Sequence, residues 1–174
     1  MKPNPKVQKI INKLNLQPHP EGGFFKEIHK STTSVENDGQ IYSAFTLIYY
    51  LLENQNKSYL HRIKFEEAWH FLEGDPIEII TLNDMGKPKT KILGQNSDSL
   101  NLDSSVEPQM VISRHTWFGA RRLIHPKLSL TGYSLVGCTV APGFEFSDFE
   151  LATEELLHNF SEHANTLKNW IKPS

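Results

Sequence analysis

A histidine and a glutamate six positions apart, His61 and Glu67, stand in the segment His61-Arg62-Ile63-Lys64-Phe65-Glu66-Glu67-Ala68-Trp69-His70-Phe71-Leu72. Imidazole titrates near neutrality, and a carboxylate beside it orients the ring and raises its pKa, which is the chemistry of general acid–base catalysis. The plainer reading is a buried hydrogen-bonded network without turnover. Trp69, Trp117, Phe24 and Phe71 are candidates for flat walls that stack on a sugar, or else ordinary core. Gln109, just after Pro108, can orient a ligand by hydrogen bonds.

His19 and Glu21 lie in Pro18-His19-Pro20-Glu21-Gly22-Gly23, a segment suited to capping a pocket mouth or completing a partner subunit's pocket. Gly22-Gly23 has no strand–loop–helix context for phosphate and reads as a tight bend. The basic cluster Arg114, His115, Arg121, Arg122, His125 and Lys127 offers forks for a phosphate or carboxylate. A solvated loop explains it equally well. Glu155, His158 and Glu162 follow helical spacing, but a lone segment of that kind reads as a solvated helix face rather than half of a metal site.

These groups need a frame to hold them. Asn4-Pro5 reads as an N-cap followed by proline at the first helical position. Val7, Ile10, Ile11 and Leu14 then make one apolar face of a helix over about 5–15. Strand candidates follow at 24–29, 42–52, 59–64, 68–72, 77–82, 90–93, 109–112, 116–121 and 132–140. The run 42–52 is nearly continuous in apolar and β-branched residues, the mark of a strand covered on both faces. Turn-rich pieces, among them Glu73-Gly74-Asp75-Pro76 and a polar loop over 95–107, separate them. Nine or ten short strands at this spacing predict an antiparallel sandwich or barrel over about 23–150. A helical segment over about 153–171 follows, with Leu156, Leu157, Phe160, Leu167 and Trp170 available as buried contacts. In Gly143–Phe149 the phenylalanines are expected to pack on the barrel while Glu145 and Asp148 tie down the backbone.

Composition bounds the rest. The 174 residues fit a single domain over 1–174, large enough to bury a core. Eighteen basic and twenty acidic residues give a net charge of -2, which argues against broad nucleic-acid binding. One cysteine, Cys138, excludes an intrachain disulfide and a cysteine-based zinc cluster. The first residues lack the apolar run of a signal peptide, and no stretch approaches a membrane span, so a cytoplasmic protein is expected.

The segment His61 to Pro76 resembles the first cupin motif, H-x-H, three or four residues, E, six residues, G. His61, Glu67 and Gly74 fall at the required spacings, and Ile63 occupies the second histidine's place. Ser113-Arg114-His115-Thr116-Trp117-Phe118 stands where the second motif, P-x-G-x-x-H, would be, with every signature residue replaced. Together with Pro18–Glu27, Trp69-His70-Phe71, Pro108-Gln109 and Gly137–Phe149, these blocks resemble the uncharacterised cupin family 5 over most of the chain.

The resemblance implies a mainly β fold, a double-stranded β-helix (jelly-roll barrel) with an N-terminal helix and C-terminal helices, often a homodimer. In cupins the motif side chains point inward, so His61, Ile63 and Glu67 are expected to share the interior. Continued alternation would put Trp69 and Phe71 inside and His70 on the opposite face, whereas a bulge would reverse this and turn His70 inward, which keeps it among the ligand-binding candidates. A divalent iron, manganese or zinc site wants three or more donors. Only His61 and Glu67 occupy usual ligand positions here, since Ile63 and Phe118 carry no donor, so a metal-free pocket without a cofactor is the favoured reading. Metal-free dTDP-sugar epimerases, another cupin branch, are similar in using a barrel histidine as base and a tyrosine as acid, an analogy between branches rather than a motif match. Tyr133, or Tyr49 or Tyr50, would be that tyrosine. The leading expectation is therefore a small-molecule-binding cupin acting as a metal-independent isomerase or epimerase on a carbohydrate-like or anionic metabolite. The alternatives are a non-catalytic binding or storage-type cupin and a metal-dependent oxygenase or isomerase.

Overall fold

The computed structural model describes residues 5–95, 106–126 and 130–173. Asn4, most of the 95–107 loop and Lys127 lie outside the described residues. The chain runs α1 (Pro5–Leu14), β1 (Gln17–Pro18), β2 (Phe24–Lys30), β3 (Ser34–Asn37), β4 (Gln40–Ser43), β5 (Thr46–Glu53) and β6 (Lys57–Ile63). It continues through β7 (Glu66–Gly74), β8 (Ile77–Leu82), β9 (Pro88–Leu93), β10 (Val106–Glu107), β11 (Gln109–Ile112) and β12 (Phe118–Arg122). Then come β13 (Tyr133–Ala141), β14 (Phe149–Leu151) and the short helices α2 (Glu154–Asn159) and α3 (Ala164–Leu167).

Two six-stranded sheets form a jelly-roll barrel, one ordered β1-β2-β5-β13-β7-β11 and the other β10-β9-β8-β12-β6-β14. Tyr50, Leu52, Trp69 and Val136 from the first sheet meet Ile77, Ile79, Leu93 and Phe118 from the second in the principal core. Strand alternation explains this, because every second side chain turns toward the facing sheet.

The outer faces are covered where their residues are apolar. Val7 of α1 packs with Leu16, Leu51, Tyr133 and Leu135 on the back of the first sheet. This cover is why β5 reads as apolar on both sides: Leu51 and Leu52 point oppositely and both are fully buried. Leu156, Leu167 and Trp170 cover Leu60, Ile80 and Leu82 behind the second sheet, as the sequence suggested.

Local chemistry sets the boundaries. Asn15 ends α1 at φ 52°, with Asn15 N–H donating to the Asn12 carbonyl and Leu16 N–H to that of Ile11. This paired closure favours a residue that tolerates left-handed backbone. The expected single strand over 42–52 is two strands, because the chain breaks at Ala44-Phe45 after the hairpin β3–β4. That hairpin turns at Asp38-Gly39, both at positive φ, a turn signal that the strand reading had passed over.

Candidate active site

One small cavity, about 70 Å³, opens between the two sheets. Its walls include Phe25, Tyr50, Glu67, Trp69 and Cys138 from the first sheet, His61, Ile63 and Phe149 from the second, and Phe144 and Phe146 from the segment before β14. His19 and Glu21 enter from the loop between β1 and β2. Phe146 is 53% exposed and stacks on His19, at 5.8 Å between ring centres, so this pair flanks the mouth.

The loop bringing Glu21 inside is pressed onto the barrel. Tyr59 N–H donates to the Glu21 carbonyl at 2.8 Å, and the Tyr50 hydroxyl donates to the Gly22 carbonyl at 2.8 Å. Gly22 sits at φ 106°, and a Cβ there would run into the Lys57 carbonyl oxygen. Only glycine fits such an approach at that backbone angle. The Gly22-Gly23 bend thus turns an acidic side chain into the barrel.

Glu21 is the centre of the polar cluster. Its Oε1 accepts from Ser58 Oγ at 2.9 Å, and its Oε2 lies 3.2 Å from His61 Nε2. His61 is 2% exposed, and its Nδ1 lies 2.8 Å from the Tyr59 carbonyl oxygen. A carbonyl only accepts, so Nδ1 carries a proton and the Nε2–Oε2 contact shares another. His19 differs. Its Nδ1 accepts the Glu21 backbone N–H at 3.3 Å, and burial lowers its pKa, so it serves as a neutral ring beside Glu21.

Glu67 occupies the first-sheet wall, two residues before Trp69 on β7. Burial, and next the nearby charge of Glu21, push its pKa up to about 8. Its carboxyl therefore holds a proton at neutral pH. Burial also raises the Cys138 thiol well above its ordinary value, with Glu67 adding to the shift. Trp69 is 1% exposed, and hydrogen bonding from its side chain to the Glu67 carboxyl partly offsets the rise in the Glu67 pKa.

The structure brings together His19, Glu21, Tyr50, His61, Ile63, Glu67 and Trp69 around the cavity, while most of the other residues singled out in the sequence lie elsewhere. His61 takes Glu21 as its carboxylate partner, where the sequence had paired it with Glu67. Tyr133 faces the back of the first sheet, where its hydroxyl donates to Glu73 and Lys6 lies over its ring, so it cannot reach the cavity as the expected acid. Tyr49 shares that side, whereas Tyr50 lines the cavity. Phe24 packs under α1, and its neighbour Phe25 is the inward one.

His70 and Gln109 are opposite one another in the β7–β11 ladder and bond at 3.0 Å, while His70 Nε2 lies 3.2 Å from Thr139 Oγ1. Both point away from the cavity, as alternation from Glu67 and Trp69 requires. Phe71 turns inward but packs in the core without lining the cavity. Trp117 lies outside under the Arg62 guanidinium at 4.6 Å, because the next residue, Phe118, is the one turned in.

The basic cluster is dispersed. Arg122 is buried against Asp75 at 2.5 and 3.0 Å, and Arg121 pairs with Glu78 at 2.6 Å. These arginines hold the fold, and Arg114 and His115 sit exposed in a turn. Glu155, His158 and Glu162 are exposed, and α2 ends before Glu162.

The cupin metal positions do not fit a metal. Ile63 and Phe118 put buried hydrocarbon where two donors would stand, and the Phe118 ring lies 4.1 Å from that of His61. Among the described residues no group of three or more histidine, cysteine, aspartate or glutamate side chains is arranged to hold an ion.

Sequence and structure comparisons agree with this architecture. The family described as Cupin superfamily (DUF985) matches residues 8–152. A protein from Shewanella oneidensis is 31% identical, with a TM-score of 0.81 over 97% of this chain and 98% of that one. A hypothetical protein from Leishmania major is 28% identical, with a TM-score of 0.85 over 96% and 99%. A mutant of Bacillus subtilis oxalate decarboxylase shares the fold at 11% identity and a TM-score of 0.54, with 92% of this chain covering 38% of that protein. No curated protein matches the sequence.

Proposed function

The chain belongs to the Cupin superfamily (DUF985) family, and from that premise we propose that its cavity supports a metal-independent proton transfer, as an isomerase or epimerase uses, on a small carbohydrate-like molecule. The observation that carries this reading is the buried contact of His61 Nε2 with Glu21 Oε2 at 3.2 Å inside the cavity. With Nδ1 held by a backbone carbonyl, Nε2 is the ring nitrogen left to pass a proton to or from Glu21 or a bound molecule. Glu21 takes the orienting role that the sequence had given to Glu67. Glu67, neutral and across the cavity, is the acid for which Tyr133 is out of reach.

The wall composition narrows the substrate. Glu21, Glu27 and Glu67 line the cavity with no lysine or arginine, so an anion would enter without a cationic partner. This favours the uncharged, carbohydrate-like half of the expected range. Binding without turnover is the second reading, and it draws on Glu21 already engaging His61 Nε2.

Three- to six-carbon aldoses and ketoses incubated with the protein in D₂O test the proposal, with loss of carbon-bound proton signals followed by NMR. At least one sugar should exchange above buffer, and His61→Gln should slow that exchange by a factor of about 10² or more. Absence of exchange across the panel favours binding alone. Exchange unchanged in His61→Gln removes His61 as the base.

A further inference from the structure

We infer that Ser58, together with a bulge in β6 beside it, positions the reacting pair: the Ser58 hydroxyl fixes the Glu21 carboxylate and the Tyr59 carbonyl fixes the His61 ring, so that Oε2 and Nε2 meet. This deepens the proposed function and rests on its assignment of His61 and Glu21.

Ser58 and His61 are three residues apart on β6, and on a regular strand an odd separation turns two side chains to opposite faces. The strand is not regular there. Ser58 stands opposite Ala120 and His61 opposite Phe118, so Tyr59 and Leu60 together face Gly119 alone. One extra residue in a strand restores the parity and re-aims the side chains on either side of it. Ser58 and His61 therefore both reach Glu21, at 0% and 2% exposure, while Leu60 joins the core behind the second sheet.

The bulge also gives the site its backbone groups. Tyr59, which has no partner in β12, donates its N–H to the Glu21 carbonyl, and its own carbonyl oxygen lies 2.8 Å from His61 Nδ1. The first bond seats the loop that carries Glu21, and the second sets which ring nitrogen faces the cavity.

Ser58 supplies the remaining constraint. Its Oγ donates to Glu21 Oε1 at 2.9 Å, which leaves Oε2 at 3.2 Å from His61 Nε2. A carboxylate held at one oxygen has its other oxygen aimed. Ser58 lies outside the cavity wall, and its Oγ is farther from His61 Nδ1, at 3.5 Å, so it acts through Glu21 and touches no bound molecule. It is a positioning residue.

Ring ¹⁵N signals of the eight histidines provide the test, with His61 identified by its loss in His61→Gln. At pH 7 the His61 Nδ1 of the wild type should be protonated. Ser58→Ala should shift the His61 Nε2 signal and leave Nδ1 protonated, because the Tyr59 carbonyl stays in place. Should that variant fail to fold, Ser58→Cys, a weaker donor of similar size, should shift Nε2 in its stead. In a Glu21→Ala background the same change at Ser58 should move Nε2 no further. Deuterium exchange into the sugar panel should slow about tenfold in Ser58→Ala, the worth of one hydrogen bond.

A His61 ring protonated on Nε2 alone in the wild type overturns the inference. So does an Nε2 signal that ignores the change at Ser58, or one that shifts equally without Glu21, which would make Ser58 a packing residue only. A Glu21-dependent shift without deuterium exchange in the wild type leaves the positioning role standing and removes the isomerase reading. His61-dependent exchange with an Nε2 signal that ignores Ser58 does the reverse.

Discussion

At the scale of single residues, Glu67 shows most directly what burial does to a side chain. Its pKa rises from 4.5 to about 8 because charge there is poorly solvated and faces another carboxylate. The folded state therefore binds this proton more tightly than the unfolded chain. Stability contributed by the neutral form is complete below pH 4.5, is lost as pH rises from about 4.5 to 8, and stays lost above that. Glu67→Gln keeps the shape and removes the titration. Thermal melts should give similar stability for the two proteins near pH 4.5. The variant should be more stable at pH 9, by up to about 5 kcal/mol for a shift of that size, or roughly 10–20 °C. A gap between wild type and variant that does not change with pH would mean that Glu67 is ionised in the folded protein.

At the scale of elements, the bend between β1 and β2 decides whether the site has its carboxylate. Gly22 must sit at φ 106° against the Lys57 carbonyl for Glu21 to reach His61 and Ser58. Gly22→Ala should cost about 2–4 kcal/mol in urea unfolding, through strain at that angle together with the clash. Gly39→Ala is the matched control. That glycine also has positive φ, at 77°, but nothing lies within 4 Å of where its Cβ would be. Its cost should stay near the 1–2 kcal/mol of left-handed backbone alone. Equal losses in the two variants would show that contact with β6 contributes nothing. The Asp75 loop is a second such element. Asp75 accepts from Arg122, the Thr131 N–H and hydroxyl and the Gly132 N–H, and so ties the start of β13 to the end of β12.

At the scale of the whole molecule, the homodimer that the resemblance implies remains a proposal. The apolar run on β5 does not need a second subunit, because α1 already covers its outer side through Val7. Leu72 on β7 and Val111 on β11 do remain open on the outer face of the same sheet, at 46% and 61% exposure. Sedimentation should give a mass near twice 19.9 kDa, and Val111→Asp should reduce it toward the single-chain value. A single-chain mass for the wild type in dilute solution would defeat the dimer. No helix among the described residues is long and apolar enough to cross a membrane.

The inward position of His61 and Glu67 came from the resemblance to the cupin motif. The sequence by itself determined the mainly β class of fold, most strands to within a few residues outside the β3–β4 hairpin, and the side of Trp69 relative to Glu67. These depend on local periodicity: alternation of two along a strand and the spacing of turns are written in consecutive residues. It also carried the absence of donors at Ile63 and Phe118. Only the tertiary structure decided which carboxylate meets His61, because Glu21 is 40 positions away along the chain and reaches it through a bend closed against β6. The same limit explains Tyr133, Phe24 and Trp117. Each has a neighbour or an equivalent of similar character one step along its strand or on the adjacent one, and register and the covering helices settle which of them faces in. The protonation of Glu67 belongs to this second class too, since it follows from what surrounds the side chain in space.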